Sequence, residues 1–445
     1  MKIDIEQARK RAKELVKSGG AAKLADAQRE VARGLGYASW PALVHALAPP
    51  SAERVIREAD GRPDVALELL AAAPELRGDP WVALSLGDAS VVADAVAPGG
   101  PLAVPPLFYV ARSRIASDAV AAARDLIARG ADPNGPGGEE WTNLSIACSR
   151  GDAALARLLL DAGAEPDDND SLYHSAEPVD AACMQLLLER GARVTGTNAL
   201  WHALDYERLE RVRMLLEHGG DPNESPWWPA LHHAVARGRS PAFIHLLAEH
   251  GADPRQLDRR GRTAYQHAVR RGREDLAEAL ESIGSPTAVT AEDEALRALA
   301  RGEAAPEIEL DDDARDVLIE LAMGSPEGLA RVLAGVGPNF SAQWGGGPRG
   351  TLLHQAAWFG RADFVETLLR HGADVDARVE TEYDTPLGWC AVGSRYSPQH
   401  PNDSFSSPDA DFVGVARLLL AAGASNEARF AEMALPPLSD WLAGR

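Results

Sequence analysis

Four histidines, His174, His202, His233 and His267, occupy one column when the repeated segments of this chain are aligned on their glycines. In chain order that column reads Tyr109, Ile146, His174, His202, His233, His267, Gln355 and Trp389. The chain holds only 12 histidines, so a third of them in one column is not a chance arrangement. An imidazole with a carboxylate one helical turn away is an oriented general base near neutral pH. His202 followed by Asp205 has that spacing, with Tyr206 next in sequence and Glu177 standing to His174 as Asp205 stands to His202. Metal chemistry is a poorer match. Zinc wants three or four donors near 2.1 Å, whereas side chains on helices packed ~8–10 Å apart can share a ligand in pairs but cannot converge four at a time on one ion. The turn after the column adds Arg237, Arg270, Arg271, Trp358 and Phe359, charged and aromatic groups of the kind that dominate protein contacts.

These positions are set by a repeat. Its right-hand half appears as LIARGADPN (126–134), LLLDAGAEPD (158–167), LLLERGARV (186–194), LLEHGGDPN (215–223), LLAEHGADP (246–254), LLRHGADVD (368–376) and LLLAAGASN (418–426). A weaker copy, RVLAGVGPN, stands at 331–339. The full unit TLLHQAAWFGRADFVETLLRHGADVDAR (351–378) shows the logic. Leu353, Ala356 and Ala357 line one side of a first short helix, and Val365, Leu368 and Leu369 line a second. Gly372 follows where a left-handed cap is needed, and the Asp-Pro-Asn found at that point in other copies is turn chemistry. One unit cannot bury its own apolar face; stacked units can.

The openings TLLHQA (351–356), TPLGWC (385–390) and ALHHAV (230–235), with looser TNLSIA (142–147) and RTAYQH (262–267), resemble those of the ankyrin-repeat family over about 105–284 and 340–427. Finer phrases, among them LADAQREVARGLGYASWPAL (24–43) and PLFYVARSR (106–114), resemble a group of functionally uncharacterised bacterial ankyrin-repeat proteins and carry architecture only. The resemblance implies an all-α solenoid of stacked helix-turn-helix units, with the histidine column facing a concave groove. It also implies that a histidine in the pattern's own place, such as His232 or His354, is structural and bonds between adjacent turns.

The expected organisation is a small helical module at 1–48, with Ser39 as an N-cap and Pro41 in the first turn. Degenerate starting repeats follow at 49–104, then a first ankyrin run at 105–284 and an acidic junction at 285–313 with one helix near 291–301. A second run covers 314–427, interrupted by a surface loop at 393–411, and a C-terminal cap takes 428–445.

Composition narrows function. The 445 residues are 45% hydrophobic and 25% charged with a formal charge of −21, which argues against a nucleic-acid phosphate backbone as main ligand. Three cysteines without a Cys-x-x-Cys spacing give neither a disulfide framework nor a zinc knuckle. The stretch MKIDIEQARKRAKELVK lacks a signal-peptide core, and no apolar run is long enough for a bilayer, so a cytoplasmic, membrane-free protein is expected. No phosphate loop, dinucleotide fingerprint, nucleophile elbow or metal signature is present, and no cofactor is expected. The leading expectation is a non-catalytic scaffold that grips a protein or peptide through Tyr109, His174, His202, Tyr206, His233, Arg237, His267, Arg270, Arg271, Trp358, Phe359 and Trp389. Under it, alanine at Trp358 and Trp389 abolishes partner capture at an unchanged melting temperature. The alternative is an enzyme or small-molecule binder built on His174, Glu177, His202, Asp205 and Tyr206.

Overall fold

The computed structural model describes residues 5–18, 23–35, 40, 43, 49–135, 141–168, 170–224, 228–303, 311–343, 349–396, 409–434 and 438–443. Ser39, Pro41, residues 304–310 of the junction and 397–408 of the inserted loop lie outside them. The chain divides into two compact units, one of residues 49–268 with 274–288, the other of 1–48, 269–273 and 289–445.

In the first of these, helix pairs follow one another in chain order. Pro106–Arg112 and Ala119–Ala128, Asn143–Ser149 and Ala153–Asp161, Ser171–His174 and Ala182–Glu189, Ala199–Leu204 and Leu209–Glu217, and Ala230–Ala236 and Pro241–Glu249 are the central five. First helices pack on first helices and second on second. Close approach is possible because the interior position of the first helices is alanine: Ala111, Ala147, Ala203 and Ala234 are fully buried. Local signals start and stop the helices. Asp118 and Asp152 cap N-termini, Thr142 forms a capping box with Ser145, and Pro106 and Pro241 occupy first turns. At the far end Gly219 has φ 90°, a left-handed cap that a side chain would strain.

The turn asparagines do more than turn the chain. The Asn134 side chain donates to Gly163 O at 3.0 Å and accepts from Glu165 N at 2.7 Å. Asn223 does the same to Gly251 O and Asp253 N, at 2.8 and 2.7 Å. Each clamps its own repeat to the next. Arginines tie in the opposite direction: Arg150 donates to Ala111 O and Ser113 O of the preceding pair, at 2.6 and 3.1 Å. His232 donates from Nε2 to Arg262 O at 2.9 Å, a bond between adjacent turns.

In the second unit the helices Ile5–Lys17 and Leu24–Gly34 pack together, and Ala8, Ala32 and Leu43 are buried beside them. Its helix pairs include Asp312–Gly324 with Pro326–Gly335 and Leu352–Trp358 with Ala362–Arg370, followed by Pro386–Tyr396 and Phe412–Ala421. A short antiparallel ribbon, Ser341–Gln343 with Arg349–Thr351, precedes the Leu352 helix. Helix Ala291–Arg301 stands where the acidic junction was expected to hold one; it buries Ala295, Leu296, Leu299 and the carboxylate of Asp293. Among the described residues no helix is long and apolar enough to cross a membrane.

Candidate partner-binding site

The first helix of the central repeat, Ser171–His174, is a single turn. Such a short helix needs help at both ends. Asp168 accepts from Ser171 N and Oγ at 2.8 and 2.6 Å and from Thr142 Oγ1 at 2.6 Å. The open carbonyls after the turn are taken by two arginines of the following repeat. Arg211, 3% exposed, donates to Ser175 O, Ala176 O, Pro178 O and Val179 O. Arg208 donates to Ala176 O, Glu177 O and Pro178 O at 3.2, 2.8 and 2.6 Å. Glu177 is thereby fixed in place.

Around it runs a line of alternating rings and charges. His174 Nδ1 meets Glu177 Oε1 at 2.6 Å, and His202 Nε2 approaches the same oxygen at 3.5 Å. His202 Nδ1 pairs with Asp205 Oδ2 at 3.2 Å; the other oxygen of Asp205 accepts from His233 Nε2 at 3.0 Å and Arg237 Nε at 2.7 Å. Aromatic rings interleave. Trp141 stacks on His174 with centroids 4.3 Å apart, Tyr173 stacks on His202 at 3.8 Å and 6°, and Tyr206 meets His202 edge-on at 5.3 Å. Trp141 and Arg237 are exposed, while the tyrosines, carboxylates and the three imidazoles are half-buried.

Burial alone would raise the Glu177 carboxyl, but the His174 hydrogen bond and the nearby His202 imidazole outweigh it and hold it at about 2. Asp205 is pulled below the usual carboxylate range for the same reason, by His202, His233 and Arg237. Burial works against the His202 imidazolium, but its hydrogen bond to Asp205 and the nearby Glu177 carboxylate win, so its pKa is raised. Burial, then the nearby carboxylates, push the Tyr173 and Tyr206 phenols up, so both remain protonated donors. The linkage has two signs. The depressed Glu177 contributes stability that is complete above its ordinary 4.5 and lost as pH falls toward about 2. The raised His202 contributes stability that is complete below its ordinary 6.5 and lost as pH rises through its folded value. Melting temperature measured against pH should therefore show a shallower acid limb between about pH 4.5 and pH 2 in Glu177→Gln than in wild type. A parallel limb would mean that Glu177 is not held by the imidazoles.

Several expected surface residues are elsewhere. His267, 1% exposed, turns inward to Asp258, Nε2 to Oδ2 at 2.8 Å, closing the turn before its own helix. Tyr109, also 1% exposed, packs on Trp81 and uses its hydroxyl on Gly99 O and Leu102 N, so it staples a loop. Arg270, 1% exposed, is a buried counter-ion for Asp293 and Glu292, and Arg271 pairs with Glu320 at 2.6 Å. Phe359 and Trp389, each 2% exposed, are core. Trp358 is half-buried against Trp389 and Tyr383. Ion pairs turn His267 and Arg270 inward and packing buries Tyr109, Phe359 and Trp389, so these five offer no free face to a partner, while Arg271 and Trp358 keep part of their surface. The column thus delivers three imidazoles to one strip, while His267 is diverted by its local aspartate. Tyr173 escaped notice because it occupies the pattern's own histidine place, where a packing role is expected; Arg208 and Arg211 escaped because their targets are carbonyls. Among the described residues no group of three or more His, Cys, Asp or Glu is arranged to hold a metal ion.

A family model described as ankyrin repeats in three copies matches residues 107–226, and one for the single ankyrin repeat matches 350–379. The first match lies in one of the two units and the second in the other. Among solved structures, the human ASB11 ankyrin repeat domain is similar at 24% identity, with 47% of this chain and 99% of that one covered and a TM-score of 0.38. The ankyrin repeat domain of Bcl-3, described as a member of the IkappaB protein family, is similar at 22% identity, covering 45% and 97%, with a TM-score of 0.40. A search of curated proteins gives no match. The stacking of helix pairs accounts for the site's geometry: each pair advances the same column by one helix, so side chains one repeat apart become lateral neighbours.

Proposed function

We propose that this chain is a non-catalytic scaffold that binds a protein or peptide along the strip from Trp141 to Arg237. The observation that carries the reading is that the strip's rings and charges are locked together before any partner arrives, yet keep part of their surface open to solvent. Ordering long side chains opposes association, so a surface already ordered loses less on binding. Ankyrin repeats as interaction modules fit this use.

In the catalytic alternative on His174, Glu177, His202, Asp205 and Tyr206 the base would be the His202 imidazole, and the acids would act only by orienting it. A carboxylate held at about 2, like Glu177, is a poor general base and cannot serve as a general acid near neutrality. Asp205 shares that limitation. We therefore assign the acids a role in fixing the rings rather than in moving protons.

The test is affinity capture from native extract with wild type and with His174→Ala/His202→Ala, each checked for an intact thermal transition. The folded double variant should lose the captured partner. Equal capture by both proteins would place the contact surface elsewhere.

A further inference from the structure

We infer that His202 is a proton-operated clasp across three successive repeats, closed while its ring carries two protons and open toward Glu177 when it carries one. Its consequence for a partner rests on the reading of the strip as a binding surface. Both ring nitrogens face carboxylate oxygens. Nδ1 lies 3.2 Å from Asp205 Oδ2, at the end of its own helix, and Nε2 lies 3.5 Å from Glu177 Oε1 in the repeat before. Nε2 is buried and has no hydrogen-bond partner among the described residues, so Glu177 is the group that meets it. A neutral imidazole has one N–H and one lone pair and can donate to only one of two acids; the imidazolium donates to both. Tyr173 lies flat against the ring at 3.8 Å and 6°, a face that also favours a cation. Asp205 extends the line, since its other oxygen takes His233 Nε2 and Arg237 Nε of the repeat after.

The neighbours decide which side opens. Asp205 shares a helix end with His202 and keeps the permanent cation of Arg237 at 2.7 Å, so the remaining N–H stays on Nδ1. Glu177 is held from its far side by His174 Nδ1 at 2.6 Å, on a turn whose carbonyls Arg208 and Arg211 bind. A lone pair left facing that fixed carboxylate is repelled, and the ring moves away with its helix. No other charged neighbour supplies Nε2 with a donor. Asp170 lies behind His174, 3.9 Å from its Nε2, Arg208 lies over the Tyr206 ring, Glu210 and Arg213 pair with each other, and His232 is turned to Arg262 O. Opening is local because the two first helices joined here have only 4 and 6 residues, and segments with few bonds of their own open first. Burial opposes the charged ring, but the Asp205 and Glu177 carboxylates raise its pKa. The clasp is therefore closed below the ordinary 6.5 and released as pH rises through the folded value. A partner that reads the assembled strip is held on the acid side and released on the alkaline side.

Hydrogen exchange by mass spectrometry on the full chain, each rate divided by its unfolded-chain value at the same pH, reads the clasp without a partner. Between about pH 5.5 and about pH 8.5, either side of histidine titration, segments 171–177 and 199–206 should lose roughly tenfold in protection, the scale of one charge-assisted hydrogen bond. Helix Ala119–Ala128 should lose none. NMR of histidine-labelled protein, with the His202 signal assigned by its absence from His202→Gln, should place the loss at that ring's own midpoint. Two variants separate a clasp from a merely structural histidine. His202→Arg, a permanent cation that stacks on tyrosine, should stay protected at both pH values. Glu177→Gln offers the neutral ring a carboxamide N–H and should remove the difference. Protection that is flat in wild type, or that falls as far in His202→Arg, overturns the clasp. A random peptide display library panned at the same two pH values tests the parent reading separately. Peptides lost on Tyr173→Ala and released at the higher pH support both. Such peptides held equally at both pH values leave the surface and reject its gating. No enrichment at either pH, beside an intact exchange difference, rejects the binding surface and leaves the clasp.

Discussion

Arg270→Ala is expected to lower the melting midpoint of the chain by on the order of 10 °C, through a loss of about 3–5 kcal/mol. The guanidinium is 1% exposed and holds two carboxylates of helix Ala291–Arg301, Asp293 Oδ1 at 2.5 Å and Glu292 Oε2 at 2.6 Å. Asp293 is itself fully buried and also closes the capping box with Thr290. Burial alone would raise its carboxyl, but the Thr290 and Arg270 hydrogen bonds keep it low. Removing the arginine leaves an ionised or newly protonated acid inside the fold, which is why breaking such a pair is far more damaging than never having it. Arg270→Lys should recover only part of the loss, because an ammonium cannot present two donors in one plane to two separate acids. Calorimetric melting of the three proteins measures this directly. An alanine variant that melts with wild type would show that Asp293 finds another counter-charge.

Trp389→Ala is expected to remove a similar amount, about 3–5 kcal/mol, and not to act as a silent surface change. The indole is 2% exposed and has His354, Trp358 and Tyr383 at ring-centroid distances of 5.2, 5.8 and 6.1 Å. A Cβ added at Gly350 would lie 3.0 Å from its Cη2, so the backbone has closed onto the ring. Its Nε1 is buried with no hydrogen-bond partner. Trp389→Phe should therefore forfeit packing but no hydrogen bond, and retain most of the stability in a denaturant titration. A phenylalanine variant as unstable as the alanine one would mean that shape rather than area governs the site.

These two residues also show where reading a sequence reaches its end. The repeat, its helices and its capping glycines were legible because they follow from periodicity and from backbone geometry that one residue type relieves, as at Gly372. The junction helix at Ala291–Arg301 was legible for the same reason. The strip was legible in part: a shared column brought His174, His202 and His233 together with Glu177 and Asp205. A column cannot say which way a side chain turns. His267 has an aspartate nine positions upstream within reach, and Arg270 has two acids on helix Ala291–Arg301, so both turned to these partners instead of an open face. Tyr109 and Trp389 lie against glycines where a side chain would collide with them, Gly100 for the one and Gly350 for the other, a closeness that appears only in three dimensions. The shortened spacing of 28 residues between Gly163, Gly191 and Gly219 was a visible clue that went further than expected. It trims two first helices to Ser171–His174 and Ala199–Leu204, and places Glu177, Asp205 and Tyr206 at their ends beside the imidazoles.

The guanidiniums that reach back to the previous repeat impose an order on biosynthesis. Arg150 serves carbonyls at 111 and 113, and Arg208 and Arg211 serve those from 175 to 179. While the chain emerges from the ribosome, a newly made repeat has only water for those oxygens until its successor appears roughly 30 residues later, the length of one such unit. At these two places a turn is completed only by the repeat made after it.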